Sequence, residues 1–232
     1  MRLDLGAVRG IVFDLDGTLI DSYEAIAESL NEAMSRLGRS PLPLERVRKM
    51  VGRGLETLMA RALGVDEEAG AGLIAEGVAA FRRRYDEICV DKTRMLPGVA
   101  PTLTTLRQRG YRMSVATNKP SYFATRLLDA LGVGQCFDVV LGPDLVARQK
   151  PHPEMVLAAL AAMHLTPSEA VYVGDMEIDV ETARAAGVRV VVLPTGSSDL
   201  ASLRAAGADF VLASFPALLD LLPSALITSP HS

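Results

Sequence analysis

Apolar residues change their spacing twice along this chain, and the changes mark out its parts. Gly10-Ile11-Val12-Phe13 is a short continuous apolar run, the pattern of a strand buried on both faces. From Ser22 to Arg84 the spacing turns helical. Ile26, Leu30, Ala33 and Leu37 share one face, Val47, Met50 and Val51 continue the pattern, and Leu55, Leu58, Met59 and Ala62 form a further stripe. No strand pattern interrupts that stretch. After residue 90, short apolar runs return, alternating with helix-length segments. Strands are predicted over 112–118, 139–142, 170–175 and 188–193, with a weaker one over 209–213 and a short helix over 216–222.

Strands alternating with helices imply a parallel sheet with helices on both faces. A helical stretch of roughly 65 residues straight after the first strand is far longer than an ordinary strand-to-helix connection. It reads as a separate helical cap over residues 19–89. The cap is inserted into an α/β core made of 1–18 and 90–232, and the chain rejoins that core near Leu96-Pro97-Gly98. No internal repeat or low-complexity segment is present.

Composition narrows the function classes. The 232 residues are 49% hydrophobic and 22% charged, which excludes disorder and allows one good core with a smaller one attached. A net charge of −4 offers no basic field for nucleic acid or an anionic membrane. The densest cationic spot, Arg82-Arg83-Arg84, reads as a solvated helix face. Cys89 and Cys136 form no CxxC or Cys/His cluster, so reduced thiols in a cytoplasmic protein are expected. The opening MRLDLGAVRG is too short and too charged for a secretory signal, and no apolar run approaches the ~18 residues of a membrane span. A monomer or homodimer acting on a small molecule is the expectation.

The chemistry gathers where strands end, because ligands in an open parallel sheet bind beyond the carboxyl ends of the strands. Asp14 and Asp16 close the first strand, Thr117-Asn118 the next, and Asp175 another, with Asp179 four residues on. Lys150 stands in a loop before a helix. Taken singly, Asp175 suits a helix N-cap, Thr117-Asn118 a turn and Lys150 the surface. Asp14 with Asp16 resists such a reading, since a cap needs one carboxylate and two repel each other. An EF-hand is excluded: Leu19 stands where that loop needs glycine, and Ala25 where it needs glutamate.

In order and spacing, Asp14-Leu-Asp16-Gly-Thr-Leu, Thr117-Asn118, Lys150 and Gly174-Asp175-Met-Glu-Ile-Asp179 resemble the four motifs of the haloacid dehalogenase-like (HAD) superfamily of phosphohydrolases. The helical insertion resembles that family's C1-type cap on a Rossmann-like core. Closer still, FDLDGTLIDS, VGRGLETLMARAL, TNKP, KPHPE and VGDMEIDVETARAAG resemble bacterial phosphoglycolate phosphatases. The likeness spans roughly residues 8–215. Gly142-Pro143 departs from the more usual small pair after the third strand. The second acid, Asp16, favours phosphoryl over carbon–halogen chemistry.

The resemblance implies a Mg²⁺-dependent phosphatase for a small phosphomonoester, 2-phosphoglycolate first. It implies Asp14, Asp175 and the Asp16 backbone carbonyl as metal ligands, with Asp179 supporting the metal through its waters or through Lys150. Asp14 would be the nucleophile and form an aspartyl-phosphate. Asp16 would be the general acid and base. Lys150, Thr117 and the loop at Asn118 would hold the phosphoryl oxygens. Arg53, between Gly52 and Gly54 in the cap, reads either as an exposed arginine at a helix stop and restart or as the cation that grips the substrate carboxylate. The rivals are a β-phosphoglucomutase-type phosphomutase, a pyrophosphatase, another sugar-phosphate phosphatase and, outside enzymes, a receiver-like phospho-acceptor module.

Overall fold

A computed structural model describes residues 7–223. Residues 1–6 and 224–232, which belong to the predicted core, lie outside the described residues, as does most of the opening stretch weighed above as a signal. Strand β1 (Gly10–Phe13) leads through the two-residue strand β2 (Ile20–Asp21) into four helices. These are α1 (Tyr23–Arg36), α2 (Leu44–Arg48), α3 (Leu55–Leu63) and α4 (Ala71–Ile88). Strand β3 (Arg94–Met95) returns the chain by pairing antiparallel with β2, Ile20 opposite Met95. Then come α5 (Val99–Gln108), β4 (Arg112–Ala116), α6 (Ser121–Ala130), β5 (Val139–Leu141) and α7 (Glu154–Ala162). The series closes with β6 (Ala170–Gly174), α8 (Glu177–Ala185), β7 (Arg189–Val192), α9 (Leu200–Ala205), β8 (Phe210–Val211) and α10 (Leu218–Leu221).

Six strands form one parallel sheet in the order β5-β4-β1-β6-β7-β8. The continuous apolar runs follow from burial on both faces. Ile11 and Phe13 of β1, Met113 and Val115 of β4, and Val171 and Val173 of β6 pack into one core. Val12, Ala116, Ala170 and Tyr172 point into the other. Leu103, Leu106, Leu127 and Leu218 cover the first face, and Met155, Leu160, Val180 and Leu203 the second. Strand β1 lies between β4 and β6, so the strand order reverses there, and a crevice opens at the carboxyl ends.

Two expectations shift. Strand β4 stops at Ala116 rather than continuing to Asn118, because Asn118 turns its side chain to the main chain of Lys150. The β2–β3 ribbon has no counterpart in the sequence reading, since two residues cannot display a period. Arg84 reaches Glu28 at 2.6 Å and Glu87 at 2.7 Å, and Arg82 lies 3.9 Å from Glu56. Arg82 and Arg84 are thus ion-paired on the surface of α4, and Arg83 is exposed. Among the described residues no helix is long and apolar enough to cross a membrane.

Candidate active site

The carboxyl end of β1 delivers Asp14 into the crevice, its own N–H still donating to the Val173 carbonyl at 2.8 Å. Lys150, from the loop between β5 and α7, is buried rather than superficial. Its ammonium donates to Asp14 Oδ1 at 2.8 Å, to Asp179 Oδ1 at 2.8 Å and to the Tyr172 hydroxyl at 3.1 Å, which uses all three of its donors. Asp179 Oδ1 also accepts from that hydroxyl at 3.2 Å. Its Oδ2 accepts the N–H groups of Asp175 and Met176, each at 3.0 Å. Asp179, not Asp175, therefore satisfies the start of α8.

Asp175 is left for something else. Its Oδ1 accepts from the Thr18 hydroxyl at 2.8 Å, while Oδ2 is buried without a partner. Glycines make room around that oxygen. A Cβ on Gly196 would come within 1.6 Å of it, and one on Gly17, whose φ is +87°, within 2.5 Å. An unpaired buried carboxylate oxygen is costly on its own. Asp14, Asp175 and Asp179 each offer a carboxylate oxygen within 4.8 Å of the others. Three carboxylates against the single Lys150 ammonium leave two negative charges uncompensated when all are ionised. These donors fit a hard divalent cation.

The electrostatics carry the same signature. Burial, reinforced by Asp179, pushes the Asp14 carboxyl up to about 6 although Lys150 pulls the other way. Burial, then Asp179 and Asp14, push Asp175 well above the usual carboxylate range. Burial alone would lower Lys150, but Asp14 and Asp179 outweigh it and hold the ammonium well above its ordinary value.

Asp16 points elsewhere. Its Oδ1 accepts from Ser22 Oγ at 2.5 Å and its Oδ2 from Lys119 Nζ at 2.7 Å, so its carboxylate is no part of the acidic cluster. The buried Thr117 hydroxyl accepts the Lys119 N–H at 3.2 Å. The Asn118 side chain is a three-way tie. Its Nδ2 donates to the carbonyls of Gly52 at 3.0 Å and Lys150 at 3.1 Å, and its Oδ1 accepts the Lys150 N–H at 3.0 Å.

That tie holds the loop before α3 against the sheet. Gln149 adds a bond to the Arg53 carbonyl at 3.2 Å, and a Cβ on Gly52 would meet Met176 Sδ at 2.5 Å. Beneath the loop lies a cavity of about 70 Å³. Asp14, Asp16, Thr117 and Lys150 line its polar side, and Leu55, Leu58, Phe81 and Phe123 are among its apolar lining. Gly52 and Gly54 reach the cavity, but Arg53 is not among its described lining residues. The structure thus gathers Asp14, Asp16, Thr117, Asn118, Lys150, Asp175 and Asp179, and leaves Arg53 to one side.

Sequence reasoning passed over Lys119, Thr18, Ser22 and Tyr172. Lys119 is buried and lines the cavity. Its one available signal was its place beside Asn118 at the end of a strand. Thr18 and Ser22 had a weaker one, lying within the same short segment as the paired aspartates.

The chain matches the family model of haloacid dehalogenase-like hydrolases over residues 11–193. It is 37% identical over 214 residues to phosphoglycolate phosphatase of Pseudomonas putida, covering 91% of this chain and 78% of that protein. The plasmid phosphoglycolate phosphatase of Cupriavidus necator is 35% identical over 215 residues, covering 93% of each. A crystal structure of a predicted phosphoglycolate phosphatase from Haemophilus somnus aligns with a TM-score of 0.86 at 28% identity, over 93% of this chain and 98% of that one.

Proposed function

This chain belongs to the haloacid dehalogenase-like hydrolase family and is a phosphatase, and on that premise we propose that it is a Mg²⁺-dependent phosphatase of small phosphomonoesters, 2-phosphoglycolate first among them, working through an aspartyl-phosphate. One observation carries the reading. Three buried carboxylates face a single lysine, and one carboxylate oxygen has no partner, at the point where the sheet presents Asp14 to a covered cavity. Mg²⁺ held by Asp14, Asp175 and the Asp16 backbone carbonyl would supply the charge neutralisation that lets one anion approach another.

The chain's own residues do the rest. A carboxylate oxygen of Asp14 forms a bond to phosphorus as the ester P–O bond breaks. Asp16 gives the departing alkoxide a proton, then takes one from the water that hydrolyses the acyl phosphate and releases inorganic phosphate. Lys150, exchanging one of its present hydrogen bonds for the substrate, and the Thr117 hydroxyl hold the phosphoryl oxygens where charge builds. Asp179 acts through others: it fixes the Lys150 ammonium with one oxygen and the backbone at Asp175 with the other.

The substrate preference rests on the relatives' names and on the cavity, which suits a compact metabolite. We take 19–89 as the cap domain over a core of 1–18 and 90–232, and place the protein in the cytoplasm, where the free, buried Cys89 and Cys136 suit a reducing environment. The test is steady release of phosphate from 2-phosphoglycolate in Mg²⁺. No release from any short phosphomonoester would overturn the reading.

A further inference from the structure

Lys119 has no part in the mechanism above, yet its ammonium is buried at the edge of the cavity. Asp16 Oδ2, at 2.7 Å, is the one carboxylate it pairs with among the described residues. An ammonium carries three donors, so this pairing leaves two for other acceptors. Beside it the Tyr85 ring lies 4.9 Å away, and the Tyr85 hydroxyl is buried without a hydrogen-bond partner. Tyr85 is 1% exposed, comes from α4 and lines the same cavity. Lys119 and Tyr85 thus bring unspent donors into a space whose upper wall is otherwise apolar. Burying unspent donors costs free energy that an arriving acceptor would recover. Among the described lining residues the only other cation is Lys150, which the phosphatase reading commits to the phosphoryl group.

We propose that Lys119 and Tyr85 form the subsite for the substrate's second anionic group, a carboxylate a few bonds from the phosphoester oxygen. The proposal rests on the phosphatase reading and adds to it the part that selects the tail. Lys119 stands on the loop after β4 and Tyr85 on the inserted helix α4, so one carboxylate bridges the sheet and the insertion. An anion there also competes with Asp16 for the Lys119 ammonium. A carboxylate-bearing substrate is therefore favoured both by direct contact and by releasing Asp16 for its work at the ester oxygen. A neutral tail gains neither.

The experiment compares kcat/KM for 2-phosphoglycolate with that for ethyl phosphate, which matches it in length but lacks the carboxylate. Lys119→Met should cut the ratio of the two by tenfold or more, and Tyr85→Phe, which deletes only the hydroxyl, by about fivefold, with thermal unfolding showing that both variants are folded. Equal losses on the two substrates would overturn the proposal, leaving Lys119 as a positioning partner of Asp16. A ratio that collapses in Arg53→Ala but not in Lys119→Met would also overturn it, in favour of carboxylate recognition from the loop before α3. Wild-type protein that cleaves neither ester would sink the phosphatase reading itself. Cleavage of both at comparable kcat/KM, unchanged in the variants, would sink the subsite alone.

Discussion

Asn118→Asp changes one atom's chemistry and almost no volume, which makes it a sharp probe of how the site is held. The Asn118 Nδ2 donates to two carbonyls, those of Gly52 and Lys150, at 3.0 and 3.1 Å. In aspartate that donor becomes an acceptor. Two hydrogen bonds worth about 1 kcal/mol each vanish, and two carbonyls lose their partner at about 1 kcal/mol each or more. The third bond, from the Lys150 N–H to Oδ1, survives. We expect a loss of roughly 4 kcal/mol, the sum of those four contributions. Urea unfolding of the metal-free protein, followed by far-UV circular dichroism, should show it as a lowered midpoint with unchanged slope. Asn118→Ala deletes all three bonds and strands the Lys150 N–H as well, so by the same count it should cost more, about 6 kcal/mol. A variant within 1 kcal/mol of wild type would mean that the tie between Gly52 and Lys150 does not hold the loop, and the rigid cavity drawn from it would fall.

Three further outcomes are expected. EDTA should stop turnover and Mg²⁺ restore it, with Ca²⁺ restoring it poorly because its looser shell disturbs in-line geometry; full activity after exhaustive chelation would exclude the metal. In Asp16→Ala, phosphoenzyme formation from alkyl phosphates should slow far more than from p-nitrophenyl phosphate, whose leaving group needs no proton; equal slowing would remove Asp16 from the acid role. Asp138, 15% exposed, is half of an ion pair with Arg112 at 3.0 Å. Burial alone would raise its carboxyl, but Arg112, Arg107 and the Met113 N–H outweigh burial and hold it below the usual range. A depressed folded value gives stability above the unfolded value of about 3.9 and loses it as pH falls through the folded one. Asp138→Asn should therefore cost about 1 kcal/mol near pH 7 and progressively less as the pH falls below the unfolded value, and a cost that stays constant with pH would refute that linkage.

Much of this architecture was legible in the sequence because it rests on patterns that sequence displays. Strands buried on both faces must be apolar throughout, so β1, β6 and β7 stood out as runs, and the strand-end rule then picked Asp14, Thr117 and Asp175. The helical insertion was visible as a change of period. Other features depend on partners far apart in the chain and left no local trace. Only the resemblance linked Asp179 to Lys150, 29 residues away in the chain, and nothing local showed that Asp179 also caps α8. Lys119 looked like one more polar residue before Pro120, and only folding buries it between Asp16 and Tyr85. The expected second cation was sought in the loop between Gly52 and Gly54, where the glycines do allow close approach. There the backbone touches the sheet, and the arginine side chain does not line the cavity.

The central claim is that Asp14 carries the phosphoryl group, and rapid acid quench of the Mg²⁺-loaded enzyme with 2-phosphoglycolate tests it most directly. Mass spectrometry of the digested protein should find one phosphoryl group, on the peptide containing Asp14, within the first turnover, and none in Asp14→Asn. Turnover at full rate with no phosphorylated peptide at any quench time, or with the phosphoryl group on another residue, would contradict the account.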